Sequence, residues 1–248
     1  MCDTGNNMSK LEKSIKTDAI LWDFDGTLAD SAAKNIAITK QILTRVAPHL
    51  TGDKLPLSLQ SAADYHVANH GADHWRDLYR DFFGMTTEEI EKAGPMWETY
   101  QMLDKTEVTL FDGISDTVNR FSNYPQGICS ANSTGNIRQV LNDNGINAAF
   151  KSVIGYEDLP HHHQKPAPDG GLKCLQEIFG ATQDKTIIFI GDHVADVLFA
   201  RGLNKRLGSS NTVISVIVTY SGAKPDCWKE RPDKIIDTPS ELADWVKN

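Results

Sequence analysis

The chain has 248 residues, which is enough for one large domain or for a domain with a sizeable insertion. Its composition is ordinary for a globular protein, with 40% hydrophobic and 23% charged residues. The formal net charge of −8 argues against a nucleic-acid partner, which requires a basic face, and no apolar run in the sequence approaches the length of a membrane span.

The amino-terminal segment and the cysteines indicate the cellular compartment of the protein. Residues 1–17 are polar and lack the apolar stretch of a signal peptide, so we expect a flexible leader and a cytoplasmic protein. The cysteines are far apart and show no paired spacing, which is typical of reduced thiols in the cytosol. They are Cys2, Cys129, Cys174 and Cys227, and we expect the middle two to fill the core.

Five short, almost continuously apolar runs predict strands buried on both faces, as in a parallel sheet covered by helices. They are Ala19–Phe24, Gly127–Ser130, Ser152–Gly155, Thr186–Gly191 and Val213–Thr219. Helical patterns occur at Asn136–Asn142, Pro168–Phe179, Val194–Leu203 and Ser240–Val246. The alternation of strand and helix predicts an α/β fold with a doubly wound, mainly parallel, Rossmann-like sheet.

One long stretch interrupts this alternation. Residues 32–105 show helical patterns punctuated by prolines and glycines, without a convincing strand. We therefore expect an α-helical cap at 32–105, inserted into a core formed by 18–31 and 106–248. Because open α/β sheets bind ligands beyond the carboxyl ends of their strands, this cap is expected to cover the site.

The most informative segment, ILWDFDGTL at 20–28, places two carboxylates at the end of a buried strand. Alternate side chains of a strand share a face, so Asp23 and Asp25 should point the same way. Two such charges repel each other and raise each other's pKa unless a cation lies beside them. The pair therefore indicates a divalent metal ion, or chemistry that combines a charged and a protonated carboxyl.

Two weaker signals are suited to anion binding. The strand that ends at Ser130 runs into Ala131 and Asn132, where small polar residues before a helix offer hydroxyl and backbone N–H donors. An ordinary strand-to-helix turn explains this loop equally well. Lys165 begins the sequence KPAP, whose prolines stiffen the backbone and would hold a compact cation in a fixed direction.

A second acidic motif, GDHVAD, follows the strand at Thr186–Gly191. Asp192 and Asp196 are four residues apart, so both can face one side of the helix that begins there. Carboxylate oxygens at such a position suit a hard cation such as Mg²⁺. The alternative is an acidic helix start that complements the helix dipole.

Taken together, these motifs resemble the haloacid dehalogenase-like hydrolase superfamily over roughly residues 19–219. The resemblance rests on DFDGTL at 23–28, Ser130 at a strand end, Lys165 with Pro166, and GDxxxD at 191–196. The inserted helical segment is similar to the cap of phosphoglycolate phosphatase-like members. The resemblance implies a magnesium-dependent phosphatase that hydrolyses a small phosphorylated metabolite through an aspartyl-phosphate intermediate.

The resemblance also implies roles for individual residues. Asp23 would be the nucleophile, and Asp25 would protonate the leaving alcohol and then activate water. Ser130 and Lys165 would hold the phosphoryl oxygens. The Mg²⁺ ligands would be Asp23, the main-chain carbonyl of Asp25, Asp192 and Asp196. Further contacts with the substrate are expected from Thr27, Ala131, Asn132 and, in the cap, Arg76. Thr27 is further expected to fix Asp25 through a local hydrogen bond.

Two alternatives stay open on the sequence. A phosphotransferase or phosphomutase acting on a sugar phosphate would use the same nucleophile, and a binding module would keep the fold without turnover. No signature residue is lost, which disfavours the binding module. The run His161–His163 has no assigned role, and the oligomeric state is not predicted.

Overall fold

The computed structural model describes residues 14–72 and 74–246. They form two compact units, here called the sheet unit and the helical unit. The sheet unit contains the described residues up to Leu28, Leu110–Tyr220 and the residues from Lys224 onward; the helical unit contains Ala29–Thr109 and Ser221–Ala223. The helical unit begins three residues before the predicted cap at 32–105 and ends four residues after it, and its role as a cap stays a prediction.

The sheet unit contains a six-stranded sheet in the order β5-β4-β1-β6-β7-β8, in which every neighbouring pair is parallel. Its strands are β1 (Ala19–Trp22), β4 (Gln126–Cys129), β5 (Phe150–Ile154), β6 (Thr186–Gly191), β7 (Thr212–Val218) and β8 (Lys234–Ile236). Its helices are α6 (Ile114–Arg120), α7 (Thr134–Asp143), α8 (Asp169–Phe179), α9 (Val194–Leu207) and α10 (Pro239–Trp245). The predicted α/β fold with a parallel, doubly wound sheet is confirmed.

The central strand β1 forms because its four residues are all apolar. All four residues of β1 are fully buried, as expected for a strand covered on both faces. The polar groups among them are paired: the Trp22 indole N–H donates to Gln126 Oε1 at 3.1 Å, and Gln126 Nε2 donates to the carbonyls of Val118 and Phe121. This arrangement satisfies the buried side-chain amide and fixes β4 beside β1.

The helical unit has a hydrophobic cluster of its own, which includes Ile38, Ile42, Leu43, Tyr79 and Phe83. Its helices are α1 (Ala32–Val46), α2 (Ala62–Gly71), α3 (Trp75–Asp77), α4 (Thr87–Ala93) and α5 (Trp97–Leu103), with a π-helical turn at Leu78–Phe82. Two short strands, β2 (Ala29–Asp30) and β3 (Thr109–Leu110), pair where the chain leaves the sheet unit and returns.

Three details of the described chain differ from the sequence expectations or extend them. Ile15 bridges to Val246, and Thr17 Oγ1 donates to the Thr186 carbonyl at 2.9 Å, so the end of the predicted leader is attached; the rest of it, residues 1–13, lies outside the described residues. Four elements that the sequence patterns do not predict are β2, β3, α6 and β8. Among the described residues, no helix is both long and apolar enough to cross a membrane.

The cysteines fulfil the expectation only in part. Cys129 and Cys174 are free thiols, and both are buried in the core of the sheet unit. Cys227 is disulfide-bonded, so the expectation of a reduced thiol is wrong at this residue.

Candidate active site

The first acidic motif lies at the carboxyl edge of the sheet, immediately after β1. The Asp23 N–H donates to the Ile190 carbonyl at 2.7 Å. The hydrogen bonding between β1 and β6 therefore extends one residue beyond Trp22, the last residue of β1. Asp23 is 8% exposed, and Asp25 is only partly buried. This is the edge at which parallel α/β sheets bind their ligands.

The structure gathers three of the predicted acids at this edge. Asp23, Asp192 and Asp196 each present one carboxylate oxygen, and these oxygens all lie within 4.8 Å of one another. The start of α9 fixes the third acid, because Asp196 Oδ2 accepts the backbone N–H groups of Asp192 at 3.0 Å and His193 at 2.9 Å. Asp192 and Asp196 are almost completely buried, so the group is built into the interior of the sheet unit.

Lys165 supplies a positive charge to this acidic group. Its Nζ lies 2.9 Å from Asp23 Oδ1 and 2.5 Å from Asp196 Oδ1. Within the part of the chain that the structure describes, no group donates a hydrogen bond of regular geometry to Asp196 Oδ1, so the ion pair with the ammonium compensates this buried oxygen. The ammonium also lies 5.4 Å from the centre of the Phe189 ring, within the range of a favourable cation–π contact.

The electrostatics of the group follow from this crowding. Burial, with Asp196 and Asp192 nearby, raises the pKa of Asp23 to about 8, although the charge of Lys165 acts in the opposite direction. Burial alone would lower the pKa of Lys165, but Asp196 and Asp23 outweigh it and raise that pKa. The site therefore holds more negative charge than one lysine can balance.

This donor set fits a metal ion. Three buried carboxylates face a single ammonium, and a divalent cation would remove the excess negative charge. The ligand atoms are all oxygens, which hard cations prefer. Among the described residues the acidic group consists of Asp23, Asp192 and Asp196; the predicted contribution of Asp25, through its main-chain carbonyl, stays a prediction.

The loop after β4 lies next to the second acid of the first motif. Asn132 Nδ2 donates to both carboxylate oxygens of Asp25, at 2.9 and 3.1 Å. Ser130 is 7% exposed, and its Oγ accepts the Asn132 N–H at 3.2 Å. The structure thus links Ser130, Asn132 and Asp25, three of the residues singled out from the sequence.

Thr27 has a different partner from the one expected. Its Oγ1 donates to Asp192 Oδ1 at 3.4 Å, so its hydroxyl supports the second acidic motif. Tyr220 donates its hydroxyl to the Thr27 carbonyl at 2.6 Å and thereby fixes this turn. Sequence reasoning missed Tyr220, because a single tyrosine after an apolar strand carries no recognisable signal.

The remaining residues singled out from the sequence are not part of the acidic group. Ala131 is exposed in the loop after β4. Arg76 belongs to the helical unit, where it lies 3.4 Å from Glu91 and stacks over the Trp75 ring at 4.3 Å. The histidine run forms a short 3₁₀ turn at His161–His163. The substrate-binding roles of Ala131 and Arg76 stay predictions.

The sequence itself carries a family signature over most of its length. Residues 20–207 match the model of the haloacid dehalogenase-like hydrolase family. The chain belongs to this family.

Individual relatives of this hydrolase agree with that assignment. It is 28% identical to a phosphoglycolate phosphatase from Photorhabdus laumondii, over 78% of this chain and 79% of the relative. It is 23% identical to the pyrophosphatase PpaX of Bacillus velezensis, over 89% of this chain and 95% of that protein.

A solved structure supports the fold independently. A haloacid dehalogenase-like family hydrolase from Streptococcus pneumoniae superposes with a TM-score of 0.68 at 21% identity, covering 93% of this chain and 98% of that one. Together, the comparisons confirm the family resemblance and the enzyme class that the sequence motifs implied: the hydrolase belongs to a family whose related members include phosphatases.

Proposed function

We propose that this hydrolase is a magnesium-dependent phosphatase that acts on a small phosphorylated metabolite through an aspartyl-phosphate on Asp23. The observation that carries the proposal is the arrangement around Asp23, which lies in one group with Asp192 and Asp196 and 2.9 Å from the Lys165 ammonium. Phosphoryl transfer depends mainly on positioning and charge neutralisation, and this arrangement provides both.

The metal site would consist of Asp23, Asp192 and Asp196, with the main-chain carbonyl of Asp25 as a further ligand. A bound Mg²⁺ would polarise a phosphoryl oxygen and neutralise part of the charge between substrate and carboxylate. The predominance of carboxylate oxygens supports this ion class.

The side chains of the sheet unit would carry out the two chemical steps. In the first, an Asp23 oxygen bonds to phosphorus, the bond from phosphorus to the leaving oxygen breaks, and Asp25 donates a proton to that oxygen. In the second, Asp25 takes a proton from water, the water oxygen bonds to phosphorus, and the Asp23–phosphorus bond breaks. Ser130, Lys165 and the backbone N–H of Ala131 would bind the phosphoryl oxygens.

The names of the relatives guide the choice of substrates to assay first. Because related proteins are named phosphoglycolate phosphatases and a pyrophosphatase, 2-phosphoglycolate and pyrophosphate are the first compounds to assay. In this proposal, Arg76 of the helical unit contacts the part of the substrate that does not react. The proposal also includes a cytoplasmic location of the enzyme.

The test is the replacement Asp23→Asn, which keeps the size of the side chain and removes the nucleophile. We expect phosphate release to fall by about 10³-fold or more, with an unchanged circular dichroism spectrum. Phosphate release is measured on a panel of phosphorylated metabolites, with Mg²⁺ and with a chelator. The matched control is Asp226→Asn, which changes an exposed carboxylate paired with Arg231 at the surface.

Three outcomes would contradict the proposal. Magnesium-dependent phosphate release that survives Asp23→Asn would exclude this nucleophile. Transfer of phosphate to an added sugar instead of to water would identify a phosphotransferase. A wild-type protein that releases no phosphate from any compound would indicate a binding module.

A further inference from the structure

The side chain of Asn132 is directed at Asp25. Its Nδ2 reaches both carboxylate oxygens, at 2.9 Å to Oδ2 and 3.1 Å to Oδ1. One nitrogen that bonds to both oxygens holds the end of the carboxyl group in position and fixes the direction in which it points. Asn132 is only 5% exposed and Asp25 is partly buried, so the contact is partly shielded from water, and hydrogen bonds to a charged group are among the stronger ones.

The orientation of the Asn132 amide is determined by its neighbours. Its Oδ1 accepts the backbone N–H of Ser133 at 2.7 Å and the side-chain Nδ2 of Asn136 at 3.2 Å. A backbone N–H can only donate, so the end of the amide that faces it must be the oxygen. The amino end of Asn132 is therefore the end that faces Asp25.

The backbone of Asn132 is held in the same way. Its N–H donates to Ser130 Oγ at 3.2 Å, and its carbonyl accepts the Tyr156 N–H at 3.1 Å. Ser133 is the N-cap of α7 and accepts the Asn136 N–H, which places Asn136 one turn into the helix. A fixed backbone and a fixed helix start therefore leave the Asn132 side chain little freedom to turn away from Asp25.

From these contacts we propose that Asn132 is the positioning residue for Asp25, and that Asn136 positions Asn132. The inference rests on the proposed function, in which Asp25 gives and takes the proton. It assigns the Asn132 side chain to the acid/base carboxyl and not to the substrate phosphoryl group. General acid–base chemistry depends on a carboxyl held within hydrogen-bond reach of the reacting oxygen, and the Asn132 amide provides that constraint.

The two possible roles of Asn132 differ in their dependence on the leaving group. A poor leaving group, such as the alcohol of 2-phosphoglycolate, needs the proton from Asp25 as the ester bond breaks. A good leaving group, such as the phenolate of 4-nitrophenyl phosphate, needs it far less. A residue that binds the phosphoryl group would affect both esters alike, whereas a residue that positions Asp25 would affect mainly the alkyl ester.

The experiment measures the first-turnover release of the alcohol or phenol by rapid mixing, with saturating Mg²⁺, for wild type and variants. We expect Asn132→Ala to slow the alkyl ester about tenfold or more, as a fraction of the general-acid contribution, and the aryl ester less than about threefold. Asn136→Asp should show the same pattern more weakly, because a carboxylate beside Asn132 Oδ1 favours the flipped amide. Gln139→Ala is the matched control, since it removes an exposed amide of the same helix that donates a hydrogen bond to Asp143.

The comparison of two esters within one variant does not depend on the fraction of folded protein. Equal slowing of both esters, or a rise in the half-saturation concentration for both at an unchanged maximal rate, would overturn the inference and return Asn132 to phosphate binding. Those results require an active wild type. An inactive wild type would instead refute the proposed function, so the two failures are distinguishable.

Discussion

At the scale of single residues, the acidic group depends on the absence of a side chain at Gly26. A Cβ built at this position would lie 2.1 Å from Asp192 Oδ2, far inside the contact distance of any real carbon atom. Gly26 also has φ +75°, in the left-handed region. The turn between Asp25 and Thr27 therefore brings the backbone against the second acidic motif, which a larger residue would displace.

We accordingly expect Gly26→Ala to abolish most activity, and to cost more stability than backbone strain alone, because Asp192 must move. The matched control is Gly145→Ala, which has φ +70° but no atom within 4 Å of its Cβ. It should lose only the roughly 1–2 kcal/mol of left-handed strain and keep full activity. Urea unfolding and phosphate release measure the two quantities, and equal losses in the two variants would show that the close approach to Asp192 is unimportant.

The site also shows which residues a sequence pattern can identify. Asp23 and Asp192 stand at the ends of apolar strands, where a buried charge is costly unless it has a partner, so the sequence alone draws attention to them. Tyr220 and Asn136 act on the site through backbone and amide contacts. Their roles depend on which atoms come into contact after folding. In the sequence, both residues are of types that are common at surfaces and at strand ends, so no pattern identifies them.

At the scale of elements, the edge strand β8 shows the same limit. Lys234–Ile236 has three residues, too few for an alternating or continuous apolar pattern. It pairs in parallel with residues 216–218 of β7, and the residue before it adds further contacts to the same strand. Asp233 Oδ2 accepts the N–H and Oγ of Ser215 at 2.9 and 2.8 Å, and its carboxylate pairs with Arg201 at 2.7 Å. The long buried strands β6 and β7, by contrast, could be predicted from their apolar sequence patterns alone.

Asp233→Asn should therefore loosen β8. Burial alone would raise the pKa of Asp233, but hydrogen bonds from Arg201 and Ser215 outweigh it and lower that pKa below its ordinary value. A depressed pKa means that the carboxylate stabilises the fold above the unfolded pKa of about 4, and that this stabilisation is lost as the pH falls through the folded value. We expect a cost of roughly 1 kcal/mol at pH 7, allowing for solvent screening, that shrinks as the pH falls through the folded pKa of Asp233.

Urea unfolding of wild type and variant at several pH values measures this difference. Asp244→Asn is the control, because it removes an exposed carboxylate that pairs with Arg120 at the surface and should change stability by a few tenths of a kcal/mol at most. A difference between wild type and Asp233→Asn that did not depend on pH would mean that the amide's shape, and not the lost charge, is responsible.

At the scale of the whole molecule, the helical and sheet units have separate hydrophobic clusters. Phe83 is 1% exposed in the cluster of the helical unit, and Leu203 is fully buried in that of the sheet unit. The helical patterns and the missing strands between 32 and 105 predicted such an insertion from the sequence. The short passage Ser221–Ala223, which also belongs to the helical unit, could not be predicted, because three residues contain no periodicity.

We expect the two clusters to respond separately to cavities. Phe83→Ala should destabilise the helical unit by about 3–5 kcal/mol and raise hydrogen–deuterium exchange within 29–109. Leu203→Ala, with a comparable loss of about 2–5 kcal/mol, should raise exchange in the sheet unit. Mass spectrometry of peptic peptides locates the change, and a uniform rise across the chain in both variants would show that the chain unfolds as one cooperative body.

The place where the helical unit is inserted has a consequence for inheritance. The chain leaves the sheet unit after Leu28 and returns by Phe111, and these two residues are joined directly by the Phe111 N–H to Leu28 carbonyl hydrogen bond of 3.1 Å. The first acidic motif precedes the exit, and Lys165 and the second acidic motif follow the return. Recombination between the genes of two relatives at these two points would therefore replace residues 29–109 with the segment of the other relative. The acidic motifs and Lys165 would stay unchanged.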